Sequence, residues 1–275
     1  IRTDCAIVIS KANAKDYLKN VKPSLETLTA RYYESTLTTN EYTGYTANIK
    51  LAEFYSAVKD DYSEAYAILG GINSKHYTNT AKINADYTAG ENPVSDSDVI
   101  ETLGIAVFSG DKLVGELTGL DSICHLIINN DLDQCTLSVP NPFENNRYID
   151  LLITSTKNTK CSVNIINNSP LVNINVHLIG YGLSLDSKTY YNTEESLNKI
   201  QKYAQKYIQR KLENYLYNTS LKYNSDISGF GRYAVKNYLT LDEWHNANWL
   251  GNYKNCFFNV NVEFTLKSGS LFGES

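Results

Sequence analysis

From Thr193 to Tyr223 the apolar residues Leu197, Ile200, Ala204, Ile208, Leu212, Tyr215 and Leu216 return at three- and four-residue intervals, which puts them in one stripe down a single helix. Thr193 is a good N-cap, and Glu194 and Glu195 meet the positive end of the helix dipole. A helix over about 193–223 with one apolar side must lay that side on something. The sequence supplies it on either hand. Tyr148–Ser155, Cys161–Asn167 and Leu171–Gly180 alternate apolar and polar residues, and Phe258, Val260, Val262, Phe264 and Leu266 do so strictly within Phe257–Leu266. Lys157-Asn158 and Asn167-Asn168 read as turns, so the first three runs form a meander. Strands, then a helix, then a closing strand predict an α+β unit with mixed or antiparallel strands and the long helix over its sheet.

The first half reads differently. Cys5–Ile9 is a short strand-like run, followed by a helical stretch through Ala14, Tyr17 and Leu18. Pro23 opens a helix whose face is Leu25, Leu28 and Tyr32, over 24–38. Leu51, Phe54, Tyr55 and Val58 mark a second amphipathic helix, and Ala65–Leu69 a strand leading to Gly70-Gly71. The polar stretch 72–97, which contains Gly90-Glu91-Asn92-Pro93, predicts a surface loop. Leu103–Phe108 and Lys112–Leu117 flank Ser109-Gly110-Asp111 as a β-hairpin would, and a helix follows over Gly119–Asn129. Asn129-Asn130-Asp131 ends that helix, while Val139-Pro140-Asn141-Pro142 can continue neither a helix nor a central strand. A chain of 275 residues accommodates two α+β domains, and the boundary falls near 131–135, giving residues 1–134 and 135–275.

Composition removes several function classes. The longest apolar runs are about five or six residues, far short of the ~20 a membrane-spanning helix needs. With 25 Lys and Arg against 30 Asp and Glu the chain carries a formal charge of −5, so nucleic acid is not an expected partner. Cys5, Cys124, Cys135, Cys161 and Cys256 are odd in number and contain no C-x-x-C pair, which predicts buried free thiols rather than a disulfide scaffold or a zinc site. Thr3-Asp4 before Cys5 is not the small, uncharged context of a lipidated cysteine. The chain has 22 Tyr and no Met, and it begins at Ile1 without an initiator. It therefore reads as a processed form or an excised portion, from an AT-rich bacterial genome.

No convergent catalytic, metal or cofactor set is visible. His76, His125, His177 and His245 occur singly, without partners at ligand spacing. Asp96-Ser97-Asp98 and Asn130-Asp131-Leu132-Asp133 lack the glycine and terminal glutamate of an EF-hand loop. Glu194 and Glu195 answer a helix dipole rather than marking a general acid and base. In Gly229-Phe230-Gly231 the glycines allow positive φ while the ring plugs a core. Trp244 and Trp249, five residues apart, would project about 140° from each other on one helix, so one faces the core and the other a partner or missing domain.

Two separated segments carry a resemblance. Leu103-Gly104-Ile105-Ala106-Val107-Phe108-Ser109-Gly110-Asp111-Lys112-Leu113-Val114-Gly115 resembles the "G-x-A-V-F…D-K-L-V-G" segment of the Ger(x)C family, the C subunits of bacterial spore germinant receptors. Asp226-Ile227-Ser228-Gly229-Phe230-Gly231, then Trp244, Trp249 and the last strand up to Lys267-Ser268-Gly269, are similar to that family's "D-I-F-G-F-G…W…N-W…V-x-V-x-V-x-I…G" ending. Ser228 departs from the pattern, where an aromatic or apolar residue is commoner. Ile1–Leu18 resembles the end of the family's first domain, so the resemblance implies that the chain corresponds to the second and third domains, without the lipoprotein signal and most of the first domain.

The resemblance implies a non-enzymatic lipoprotein on the outer face of the spore inner membrane. It would be anchored by lipid and act with membrane-embedded A and B subunits in nutrient sensing, as a scaffold or coupling component that meets the nutrient germinant at most indirectly. Asp226, Gly229, Phe230, Gly231, Trp244 and Trp249 are the family-motif residues, with a structural or interface role. Two other classes stand beside it: an envelope lipoprotein that captures a small molecule between its two domains, and a cell-wall hydrolase resting only on Glu194 and Glu195.

Overall fold

The computed structural model describes residues 2–19, 40–73, 83–92, 99–167, 169–185 and 193–267. The helix expected over 24–38 lies outside them. Two four-stranded sheets organise the chain. The first contains β1 (Val8–Ser10), β2 (Tyr66–Asn73), β3 (Val99–Ser109) and β4 (Lys112–Leu117), in that order across the sheet. Its β1–β2 pair is parallel and the other two are antiparallel. The second contains β5 (Gln134–Pro140), β6 (Tyr148–Ile166), β7 (Ser169–Leu185) and β8 (Phe257–Lys267), antiparallel except for the β7–β8 pair.

Helices cover these sheets where the sequence leaves apolar faces. After α1 (Ala14–Lys19) and α2 (Asn40–Thr43), α3 (Leu51–Lys59) packs Phe54, Ala57 and Val58 on one face of the first sheet, against Ala65, Ala67, Ala106 and Phe108. On its other face Ile105, Val107 and Leu117 meet α4 (Gly119–Asn129). Thr118 caps α4, accepting from the Asp121 N–H while the Asp121 carboxylate accepts from the Thr118 N–H, a reciprocal pair that satisfies two orphan donors. The long helix α5 (Glu194–Tyr217) lays Ile200, Ala204, Ile208 and Leu212 on the second sheet, where Leu137, Leu151, Val176 and Val262 are buried. Each buried Leu, Ile or Val among them contributes about 1.5–3 kcal/mol. The cluster is continuous from Ile105 and Val107 through α4 to the second sheet and α5, across the step from α4 to β5.

Several expectations are corrected. Gln134–Pro140 is a strand that the prolines concealed. Cys135, Leu137 and Val139 are buried in alternation, and as a sheet edge the strand tolerates Pro140 at its end. The expected meander of three strands is one long hairpin, because β7 pairs with β6 along its length and Lys157-Asn158 sits in a register irregularity, not a turn. The helix from Thr193 ends in α-form at Tyr217 and continues as one π-type turn, Asn218–Lys222, in which Thr219 Oγ1 donates to the Leu216 carbonyl at 2.9 Å. Residues 83–92, expected in a surface loop, hold Tyr87 and Ala89 against the first sheet. Cys124, Cys135 and Cys256 are buried, but Cys5 is exposed ahead of β1.

Gly104 shows why the hairpin segment has its glycine. Two residues of β3, Leu103 and Gly104, are accommodated opposite the single Leu69 of β2, and Gly104 has φ +86°. A Cβ there would lie 2.1 Å from the Leu117 carbonyl oxygen. Gly110 also has positive φ, at +58°, but has open space around it. Gly104→Ala is therefore expected to cost about 3 kcal/mol or more and Gly110→Ala about 1 kcal/mol, read as urea midpoints. Equal costs would show that φ alone, and not the close approach, selects glycine at Gly104.

Candidate functional site

The six motif residues fold into one buried knot. Asp226 is 0% exposed. Its Oδ1 accepts from the Phe230 N–H at 3.1 Å, and its Oδ2 accepts from the Gly231 N–H at 2.9 Å and the Trp249 indole N–H at 2.8 Å. The carboxylate thus starts the short helix α6 (Gly231–Ala234) and ties to it α8 (Trp249–Asn252), which follows α7 (Leu241–Ala247). Gly229, at φ +71°, makes the turn between them, and its N–H donates to the Asp226 carbonyl at 3.3 Å. Phe230 is fully buried beside Tyr253 and Phe258. A Cβ on Gly231 would meet the Tyr62 carbonyl at 2.3 Å and the Trp249 ring at 2.8 Å.

The two tryptophans do not divide between core and surface. Asn248 adopts φ +45° and ends α7, so the arithmetic of one continuous helix does not apply. Trp244 and Trp249, 2% and 4% exposed, stack at 6.2 Å, and Trp244 stacks again on Tyr62 at 5.3 Å.

The knot also grips the first sheet. The Asp226 carbonyl accepts from the Glu64 N–H at 2.9 Å, Ser225 Oγ donates to the Phe108 carbonyl at 2.6 Å, and Tyr223 OH donates to the Glu116 carbonyl at 2.8 Å. Glu64, which no motif or spacing singles out, accepts from the Gly110 N–H at 2.7 Å and holds the β3–β4 turn, while burial raises its carboxyl. Farther along the seam, the Asn84 side chain bonds both the N–H and the carbonyl of Ser138 on β5.

Beneath the knot runs a chain of polar side chains. Asn129 Nδ2 lies 3.1 Å from His125 Nε2, His125 Nδ1 lies 2.8 Å from Tyr215 OH, and that hydroxyl lies 2.9 Å from Ser228 Oγ. Burial lowers His125 to about 3, so the imidazole is neutral. The Asn129 amide donates to Nε2, which assigns the ring proton to Nδ1 and makes Tyr215 its acceptor. Both ends of the chain, Asn129 and Ser228, line a cleft of about 860 Å³ bounded also by Asn48, Glu53, Glu64, Asp131 and Arg232. The Asn48 side-chain oxygen is buried and accepts no hydrogen bond from the described residues.

This arrangement holds parts together and provides no activated nucleophile. Ser228 faces a phenol that burial drives well above its ordinary value, and among the described residues the partners of His125 are Tyr215 and Asn129, with no acid to make it a base. Glu194 and Glu195 are exposed at the start of α5. Asn130, part of an acidic segment considered for calcium, is the left-handed C-cap of α4 at φ +65°. Asp96-Ser97-Asp98 lies outside the described residues. Among the described residues no three His, Cys, Asp or Glu side chains converge on a metal position, and no helix is long and apolar enough to cross a membrane.

Two buried titratable groups give opposite pH signatures. Burial raises Asp226 to about 6 from an ordinary 3.8, so the folded form holds the proton more readily and the group's contribution to stability declines as pH rises from about 4 to 6. For His125 the folded form resists protonation, and stability is lost as pH falls from 6.5 toward 3. Asp226→Asn, which turns an amide N–H₂ toward at least one of the three donors, is expected to cost about 3 kcal/mol near neutrality. Its deficit against the parent widens as pH falls from 6 to 4, whereas that of His125→Phe narrows, measured as urea midpoints at each pH. Parallel pH curves for all three proteins would refute both assignments.

Comparison with known proteins agrees with this geometry. Residues 103–269 match the family described as Spore germination B3/GerAC like, C-terminal, and residues 1–70 match the Spore germination protein N-terminal domain. A solved structure described as the crystal structure of the GerBC protein superposes with a TM-score of 0.64, covering 97% of this chain and 70% of that one at 12% identity, which speaks to the fold. No curated protein matches the chain. The family match spans the hairpin, the long helix, the knot and the closing strand, and the chain belongs to the Spore germination B3/GerAC-like family, that of germinant receptor C subunits.

Proposed function

We propose that this chain works as a non-enzymatic scaffold that couples membrane-embedded A and B subunits of a spore germinant receptor, carried on the outer face of the spore inner membrane by a lipid anchor. The observation that carries this reading is where the motif residues go. Asp226, Gly229, Phe230, Gly231, Trp244 and Trp249 are used inside a rigid joint, which leaves none of these six presented as a reactive group. In this reading residues 1–134 and 135–275 are two parts that move as one, because the knot and the shared apolar cluster link them. Rigid transmission suits a component that passes a conformational signal between neighbours.

Isolation of the tagged full-length protein from spore membranes is expected to bring down the A and B subunits. Spores lacking the protein are expected to lose the nutrient response through that receptor. A normal response, with A and B still assembled in its absence, would overturn the proposal.

A second reading, capture of a small molecule, is favoured by one feature: the cleft of about 860 Å³ into which Asn129 and Ser228 bring both ends of the buried polar chain. Ser228→Phe places a ring in that space. Under the scaffold reading, titration calorimetry of the chain with amino acids and other nutrients shows no saturable heat. Saturable binding that Ser228→Phe abolishes would favour capture instead.

A further inference from the structure

Helix α5 has two sides, and only one is explained by the sheet beneath it. Opposite Ile200, Ala204, Ile208 and Leu212 stand Lys199, Lys202, Lys206 and Arg210, all exposed. Spacings of three, four and four residues hold the four cations within about 80° of arc, centred about 180° from the buried stripe. Between Glu195 and Glu213 the helix contains no acidic residue, although the whole chain has 25 basic against 30 acidic side chains. No ion pair among the described residues engages any of the four, although Lys199 Nζ lies over the Phe143 ring, 4.3 Å from its centroid. Lys202, Lys206 and Arg210 follow one another at i, i+4, where like charges oppose helix formation, and Glu195 and Glu213, which share their arc, offset this only at its two ends.

The composition of this face selects its occupant. Tyr203, 50% exposed, borders the stripe about 20° beyond its edge, and Tyr217, 39% exposed, lies in line with it at the helix end, about 27 Å from Lys199. Aliphatic side chains are absent from the arc among the described residues, and lysine is depleted at protein–protein interfaces, which need an apolar centre. A straight row of cations with tyrosines, whose rings sit at headgroup depth, is complementary to a planar anionic surface. We infer that the outer face of α5 docks on an anionic lipid bilayer, through Lys199, Lys202, Lys206 and Arg210 at phosphate depth and Tyr203 among the headgroups. The inference rests on helix geometry and is independent of the receptor reading, since it concerns contact with lipid and not with the A and B subunits.

Sedimentation with vesicles tests it. The chain is expected to co-sediment with phosphatidylglycerol-rich vesicles and not with pure phosphatidylcholine, and high salt should release it. Replacing the cations together (Lys202→Gln, Lys206→Gln, Arg210→Gln) is expected to weaken partitioning by about tenfold or more. Replacing exposed lysines on β6 (Lys157→Gln, Lys160→Gln) should leave it unchanged, with far-UV circular dichroism confirming that both variants fold. Equal partitioning of the two variants, or no preference of the parent for anionic vesicles, overturns the inference and leaves the stripe to an acidic protein partner.

Discussion

A carboxylate with no access to water must be surrounded by donors, and the joint of this molecule is built from that requirement. Asp226 collects two consecutive backbone N–H groups from the turn that follows it and an indole N–H from a helix 23 residues away. Once they converge, Gly231 must be small, because the Tyr62 carbonyl and the Trp249 ring close over it. The Asp226 carbonyl then reaches the Glu64 N–H, where the chain enters β2. A local demand for hydrogen bonds is in this way converted into contact between the two sheets.

Around this centre polar and apolar contacts divide the labour. The apolar cluster shared by α4, α5 and both sheets supplies the bulk of the burial, but apolar packing is not directional and tolerates sliding. The polar contacts at the seam fix the register: Ser225 on Phe108, Tyr223 on Glu116, and Asn84 on Ser138. Under the scaffold reading proposed above, that fixity is what passing a conformational change between neighbours requires. The neutral His125 and its chain to Ser228 add a buried link of the same kind, next to a cleft that remains open.

Much of the fold was legible in the sequence where one period ran long enough. The stripe of α5, the alternation of β8, the β3–β4 hairpin and α4 all follow from local spacing, and the motif residues were recognisable as a set. What escaped depends on partners far away in the chain. Gln134–Val139 alternates over too few residues to stand out beside Pro140, and only pairing with β6 makes it a strand. Lys157-Asn158 resembles a turn and becomes an irregularity because β7 continues past it. The tryptophan pair was misjudged because Asn248 breaks the helix between them, and a left-handed asparagine carries little warning in sequence. Nothing in the spacing of Asp226 and Trp249 reveals that one accepts a hydrogen bond from the other.

The chain's two tryptophans both lie in the joint, so their fluorescence reports that joint alone, while far-UV circular dichroism reports both sheets. Equilibrium urea unfolding followed by the two signals on one sample measures directly whether the Asp226 knot binds the molecule into one cooperative unit. The account predicts coincident transitions with a single midpoint. A fluorescence transition complete before the circular dichroism changes would show that the knot opens alone and does not hold the two sheets together.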